Sequence, residues 1–214
     1  MALPYTVAPH LSYFKAPLAD FLAARPEFDS LGVGGYLVST HAVSDAGAPR
    51  ILLLQRALTD TMGGCWEGPG GATEPGEDET LLDGVAREVL EETGLHVSHI
   101  AELVAVDSWN HVRGTGEKLR IAKYSFLVEV HEASRQGPDA KTHLVSRDEI
   151  PVKLDAAEHQ AFNWALEEEI QLSLLSSEGK YSLPRSVAAF AHQGPNILRA
   201  FDLFRQRQGR TATL

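Results

Sequence analysis

Blocks of apolar residues predict strands and helices that follow one another without a regular β-α-β order. The apolar runs at 32–40 and 50–57 are joined by turn-forming residues and predict a β-hairpin with a long loop. The runs at 100–108 and 120–130 predict two further strands on either side of a polar loop. Because strands and helices are interleaved irregularly, the pattern favours an α+β fold or a layered α/β/α fold over a doubly wound sheet.

The most regular helical pattern lies within residues 80–95. Thr80 is suited to cap the N-terminus of this helix, and Gly94 stands where a left-handed residue ends one. Gly84 lies in the helix interior, which either close packing on a sheet or the approach of a phosphate group would explain. The apolar face consists of residues spaced i, i+3, i+4 and i+7, which are Leu82, Val85, Ala86 and Val89.

Further helical patterns lie near the two ends of the chain. Residues 16–25 predict one helix, and residues 158–170 predict a helix or a strand followed by a helix. The tail predicts two helices, over 183–193 and 195–208, broken at Gly194-Pro195.

Composition and charge narrow the class of protein. With 214 residues, 43% of them hydrophobic and 22% charged, the chain has the profile of a soluble globular protein of one domain with elaborations. A net charge of −10 argues against general binding to nucleic acid or to anionic membranes. The lone Cys65 fits a reducing compartment, and the sequence has neither an 18-residue apolar stretch nor the pattern of a secretory signal. We therefore expect a cytoplasmic protein.

The negative charge is concentrated in one segment. Residues 67–92 contain nine carboxylates and a single cation, Arg87. Glu88, Glu91 and Glu92 are spaced i, i+3 and i+4, so they share one helix face, where each like-charged pair costs about 0.2–0.5 kcal/mol. Two interpretations remain open from the residues alone: a solvated acidic face, or a site for a hard divalent cation such as Mg²⁺ or Mn²⁺.

These residues resemble the signature of the Nudix hydrolase family. The signature reads Gly, five residues, Glu, seven residues, and then Arg-Glu-apolar-any-Glu-Glu-any-Gly-apolar; residues 87–95 match its second half at every fixed position. Glu79 keeps the seven-residue gap to Arg87, whereas seven residues instead of five separate it from Gly71. Glu77 would restore the first spacing and break the second. We prefer Glu79, because a loop tolerates an insertion better than a helix does.

The resemblance covers roughly residues 30–172 and implies an α/β/α sandwich around a mixed β-sheet. It also implies hydrolysis of a diphosphate linked to another moiety, with Mg²⁺ or Mn²⁺ as cofactor. The corresponding domain spans residues 30–175. We expect an N-terminal extension over 1–29 and a helical C-terminal extension over 176–214 that packs on the same domain.

The resemblance also assigns roles to residues of the signature. By correspondence, the metal ligands are Glu88, Glu91 and Glu92. Arg87 orients the helix glutamates, Glu79 braces the junction of loop and helix, and Gly71 is the loop glycine. Glu88 contacts metal and is one candidate to take the proton of the attacking water. Since family members place this base differently, Glu158 is a second candidate and Glu117 a third; an ordinary acid at the start of a helix is the structural alternative for Glu158.

Four residues are candidates for substrate binding. Arg56 ends an apolar strand and is placed to reach a phosphate, although a surface salt bridge also explains it. Trp109 is suited to stack on a base or to cover a prenyl chain, as is Trp66, although packing in the core is the more common explanation for each. Arg113 belongs to the basic region around residues 110–123.

The sequence therefore predicts a metal-dependent hydrolase whose small-molecule substrate is a nucleoside diphosphate joined to another group. The alternatives are a hydrolase of a non-nucleotide diphosphate, such as a prenyl diphosphate, and a non-catalytic nucleotide-binding module on the same fold. The basic tail packs, in our interpretation, on the acidic body or on the second subunit of a homodimer. Its cations are Arg199, Arg205, Arg207 and Arg210.

Overall fold

The computed structural model describes residues 4–40, 47–112, 114–137, 142–176, 178–183 and 192–211. These residues form nine β-strands and four α-helices. The strands are β1 (Thr6–Val7), β2 (Ser30–Ser39), β3 (Arg50–Arg56), β4 (Trp66–Glu67), β5 (Val97–Val112), β6 (Lys118–Val130), β7 (Ser134–Gln136), β8 (Thr142–Leu144) and β9 (His159–Leu166). The helices are α1 (Leu18–Ala23), α2 (Leu81–Thr93), α3 (Glu167–Leu175) and α4 (Gln193–Thr211).

Seven of these strands form one mixed sheet. Its order is β1-β5-β6-β2-β3-β4, and β9 also pairs with β3. β2 runs parallel to β6, from Ser30 opposite Ile121 to Leu37 opposite Val128. β5 and β6 form a long antiparallel hairpin, and β2 and β3 are antiparallel near their connecting loop. Both predicted strand pairs are present, and β5 and β6 extend beyond the apolar runs that predicted them.

Helices cover both faces of the sheet. Successive residues of β3 point to opposite sides, so Leu52 and Leu54 belong to one hydrophobic cluster while Ile51 and Leu53 belong to the other. The first cluster includes the apolar face of α2, and the second includes buried residues of α3 and α4. The predicted α/β/α sandwich around a mixed sheet is therefore confirmed.

The N-terminal segment is part of the first cluster. Phe14 contacts Phe126 edge-on, with ring centroids 5.2 Å apart, and Phe21 contacts Tyr124 at 5.4 Å. Each of these four aromatic side chains is buried. The segment therefore stabilises the same core as the central sheet.

Local signals fix both ends of α2. The Thr80 hydroxyl accepts a hydrogen bond from the Asp83 N–H at 3.3 Å, and the Asp83 carboxylate accepts one from the Thr80 N–H at 2.9 Å. This reciprocal pair is a capping box. At the other end Gly94 adopts a φ of 68°, the left-handed conformation that glycine takes without steric cost.

The loop after β4 is attached to the edge of β2. The Val33 N–H donates to the Gly71 carbonyl at 2.9 Å, and the Gly35 N–H donates to the Pro69 carbonyl at 2.9 Å. β3 pairs with β2 only at Val38 and Ser39, which leaves the rest of this edge to the loop. The loop consequently has a fixed position relative to the strand on which α2 packs.

The tail differs from the prediction. Gly194 and Pro195 lie in the first turn of α4 instead of separating two helices. Proline is tolerated there because first-turn N–H groups have no acceptor within the helix. Most of the predicted helix over 183–193 falls on residues outside the described part of the chain.

None of the described helices is both long enough and apolar enough to cross a lipid bilayer.

Candidate active site

The second half of α2 presents three carboxylates and one cation to a common cavity. Glu88 and Glu92 are buried, whereas the side chain of Glu91 is 54% exposed. The guanidinium of Arg87 lies across two of them and donates to Glu88 at 3.0 Å and to Glu91 at 2.8 Å. It also donates to the carbonyl of Ala72 at 2.8 Å, so Arg87 connects the helix to the loop.

At the junction of loop and helix Arg87 binds Asp78, a residue that the sequence pattern did not indicate. Arg87 donates through Nε to Asp78 Oδ1 at 3.0 Å and through Nη2 to Oδ2 at 3.1 Å. Glu77 and Glu79, the two residues that the sequence suggested, are both exposed. The reason lies in the loop insertion: the N–H groups of residues 77 and 78 both bond the Glu74 carbonyl, and this tight turn directs Asp78 inward. The contact with Arg87 that was expected of Glu79 is thus made by Asp78, and the role of Glu79 stays a prediction.

The position of Asp78 also explains Gly84. A Cβ atom on Gly84 would lie 2.9 Å from Asp78 Oδ2 and 3.4 Å from the Thr73 side chain. The glycine therefore makes room for Asp78, a reason that differs from both explanations considered from the sequence.

Two loop glycines contact the helix carboxylates. The Gly70 N–H donates to Glu92 Oε2 at 2.8 Å. A Cβ atom on Gly71 would lie 2.7 Å from both carboxylate oxygens of Glu88. A side chain at position 71 would therefore displace the Glu88 carboxylate from its observed position.

The cations near the three helix carboxylates do not neutralise the full negative charge of this group. Burial, helped by the charge of Glu91, raises the pKa of Glu88 to about 7, although Arg87 acts in the opposite direction. Burial also raises the pKa of Glu92 to about 9; the Gly70 N–H lowers it, and the charges of Glu67 and Glu88 raise it further. Oxygen donors with uncompensated negative charge fit a hard divalent cation such as Mg²⁺ or Mn²⁺.

Arg56 and Glu67 form a buried ion pair at the wall of the same cavity. Arg56 donates to Glu67 and to Asp60. Burial opposes ionisation of Glu67, but His159, Lys123 and Arg56 together hold its pKa below the usual value. Arg56 therefore makes the salt bridge considered from the sequence and still lines the cavity.

Sequence reasoning missed Glu67 and His159. Glu67 begins the acidic segment and stands immediately before the glycine- and proline-rich loop, which was a usable signal. His159 belongs to the stretch Glu158-His159…Trp164, which also resembles the family and was a usable signal; β9 places it opposite Arg56 in the β3–β9 pairing.

Two adjoining cavities make up the site. The first has a volume of about 520 Å³ and is lined by acidic residues, by Arg56 and Arg87, and by residues 70–72. Glu158 is exposed and lines this cavity, while Glu117 is not among its described lining residues. The second cavity, of about 180 Å³, shares Arg56 and residues 70–72 with the first; its further lining includes Trp109, Lys123 and Gln193.

The remaining sequence candidates lie elsewhere. Trp66 packs edge-on against Tyr181, with ring centroids 5.2 Å apart, which supports the packing interpretation for this residue. Arg113 lies outside the described residues. Glu79 lines two other cavities, on the far side of the loop.

Comparisons with known proteins agree with this architecture. The family model described as NUDIX domain matches residues 36–183. The NUDIX domain of Shewanella oneidensis NrtR, solved with ADP ribose, has a TM-score of 0.51 at 19% identity, covering 87% of this chain and 97% of that one. This likeness supports the fold.

Two further solved structures are similar at lower TM-scores. A MutT NUDIX hydrolase from Burkholderia pseudomallei matches with a TM-score of 0.41 at 22% identity, over 65% of this chain and 84% of that one. An Ap4A hydrolase from C. elegans matches with a TM-score of 0.44 at 20% identity, over 83% of this chain and 98% of that one. A search of curated proteins returned no match. The family match spans more than half of the chain and confirms the resemblance carried by residues 87–95. The chain thus belongs to the NUDIX domain family and is a Nudix-type hydrolase.

Proposed function

We propose that this protein hydrolyses a nucleoside diphosphate joined to another moiety, by metal-assisted attack of water on phosphorus. The observation that carries the proposal is the junction of the two cavities. An acidic cavity suited to divalent cations opens, across Arg56 and residues 70–72, into a smaller cavity with an indole ring and a lysine. A diphosphate joined to a base requires these two environments side by side.

The second cavity offers contacts for both parts of a nucleotide. Trp109 is half-buried there and presents a flat apolar surface, and stacking of a base on an aromatic ring contributes about 1–3 kcal/mol. Lys123 and Arg56 supply positive charge at the same wall. In this proposal the two cations bind the phosphate oxygens while Trp109 stacks on the base.

In the same proposal Glu88, Glu91 and Glu92 hold the divalent cations. When bound, such a cation neutralises charge on the phosphate oxygens and lowers the pKa of a coordinated water. Arg87 fixes the orientation of Glu88 and Glu91, and Asp78 fixes Arg87. Gly70 holds Glu92 through its N–H. Glu158, at the exposed rim of the cavity, is our candidate to accept the proton of the attacking water at its carboxylate oxygen.

The C-terminal extension of residues 176–214 packs, in our proposal, on the catalytic domain of residues 30–175. Gln193, the first residue of α4, is buried and accepts a hydrogen bond from the Tyr36 hydroxyl at 2.9 Å. It also lines the second cavity. The extension thus contributes a wall to the proposed substrate site.

The test is a hydrolysis assay on a panel of diphosphates with Mg²⁺ or Mn²⁺. The panel contains ADP-ribose, a nucleotide sugar, a dinucleoside polyphosphate and a prenyl diphosphate, with products followed by ³¹P NMR in ¹⁸O-water. We expect turnover of a nucleotide substrate, a large loss in Glu92→Gln, and a higher KM in Trp109→Ala. Turnover of the prenyl diphosphate alone would overturn the substrate class. Binding of nucleotides without turnover of any panel member would overturn the catalytic proposal.

A further inference from the structure

A histidine lies beside the acidic cavity in a combination that the signature does not contain. Ligand atoms from Glu92, Glu158 and His159, one from each side chain, all lie within 4.8 Å of one another. This spacing allows the three atoms to contact a common ion. Glu92 comes from α2, whereas the other two residues are neighbours at the start of β9.

His159 is buried and lies next to Glu67. The residue is 1% exposed, and its Nε2 is 3.5 Å from Glu67 Oε1, an oxygen that already accepts from Arg56. Among the described residues neither ring nitrogen makes a hydrogen bond of normal geometry. A buried imidazole in this state has the capacity to bind a metal ion.

The backbone holds the start of β9 in place. The Ala57 N–H donates to the Glu158 carbonyl at 2.7 Å, and the His159 N–H donates to the Asp155 carbonyl at 2.9 Å. Glu158 is consequently at the exposed rim, and His159 is inside.

We propose that Glu92, Glu158 and His159 form a metal site with mixed nitrogen and oxygen ligands. Imidazole is a ligand for first-row transition ions, whereas Mg²⁺ takes oxygen ligands and keeps several waters. The imidazole therefore favours a transition ion over Mg²⁺ at this site, and Mn²⁺ serves as the paramagnetic probe for it. The inference rests on the proposed function to the extent that Glu92 is a ligand in both and that Glu158, the candidate base there, is a ligand here. It adds His159 as a ligand and names the class of ion.

The experiment measures binding of Mn²⁺ alone, without substrate, by electron paramagnetic resonance and electron spin-echo envelope modulation. Wild-type protein is expected to show ¹⁴N modulation from a coordinated imidazole. His159→Gln is expected to lose this modulation and to raise the Kd for Mn²⁺ by about tenfold or more, since even ligand-supporting residues are worth about 10–100-fold in metal affinity. The variant His111→Gln, at an exposed position in β5, is the matched control and should retain both signals.

The second variant, Glu158→Gln, tests the site even if His159→Gln fails to fold, because Glu158 is exposed and its replacement should not disturb the core. It should also weaken Mn²⁺ binding and leave the thermal unfolding temperature unchanged. Mn²⁺ binding without ¹⁴N modulation, or unaltered in Glu158→Gln, would overturn the mixed-ligand site and leave the proposed hydrolase intact. Absence of any Mn²⁺ or Mg²⁺ binding would overturn the metal-dependent function itself.

Discussion

Replacement of Gly71 by alanine tests the contact between the loop and Glu88. The added Cβ atom would lie 2.7 Å from both oxygens of the Glu88 carboxylate, and ordinary contact begins at 3.4 Å. The carboxylate must therefore retreat by about 0.7 Å, or the loop must move away from β2. Because Glu88 is buried and hydrogen-bonded to Arg87 at 3.0 Å, it has little freedom to retreat without losing that bond.

The expected effect is large on activity and small on folding. A misplacement of about 1 Å in a catalytic site costs about 100-fold in rate, so we expect kcat/KM of Gly71→Ala to fall by one to two orders of magnitude. The loss of one charged hydrogen bond limits the destabilisation to about 1.5–3 kcal/mol. The assay is hydrolysis of the best substrate in the diphosphate panel, with urea unfolding measured on the same samples.

Gly114→Ala is the matched control, because a Cβ atom there meets nothing within 4 Å. It should retain wild-type activity and stability. Wild-type activity in a folded Gly71→Ala would refute the reasoning, since Glu88 would then not need its observed position. Equal losses in both variants would also refute it, because the effect would then not depend on this contact.

Three other predictions follow from the same contacts. Asp78→Asn, which removes one of the three carboxylates bound to Arg87, should lower the free energy of unfolding by about 1.5–3 kcal/mol in urea titrations, whereas Glu79→Gln should change it by less than about 0.5 kcal/mol. In EDTA, protonated Glu88 favours folding below pH 4.5, and this contribution is lost as the pH rises through its folded-state pKa of about 7. The free energy of unfolding of Glu88→Gln, relative to that of wild type, should therefore rise by about 3 kcal/mol between pH 5 and pH 8. An equal difference at both pH values would contradict the raised pKa. Trp109→Ala should raise KM for nucleotide substrates by about tenfold and leave kcat nearly unchanged, measured by initial rates; an unchanged KM would remove the stacking role.

Local sequence patterns predicted the parts of the fold that depend on local interactions. The limits of α2 follow from Thr80 and Gly94, and the shared face of its glutamates follows from helical spacing alone. The strand pairs were predictable for the same reason, since each pair is joined by one loop. The assembly of α1 and the N-terminal segment onto the central strands depends on packing between distant residues, and no local pattern specified it.

The sequence named the site residues of α2 and also Arg56, Gly71, Trp109 and Glu158, which line the two cavities. It did not indicate Asp78, because spacing along the chain does not encode which residue of a turn points inward. It assigned no role to His159, which the pairing of β9 with β3 places opposite Arg56 and which is more than 60 residues away from Glu92 in the sequence. Such contacts depend on the three-dimensional fold, and reasoning from one sequence omits them.

Gln193 places part of the proposed substrate site on a different element from the proposed metal ligands. The proposed metal ligands lie on α2, whereas one wall of the cavity proposed for the nucleotide comes from the first turn of α4. Exchange of the tail for that of another family member would therefore be a route to altered substrate preference that leaves these glutamates untouched.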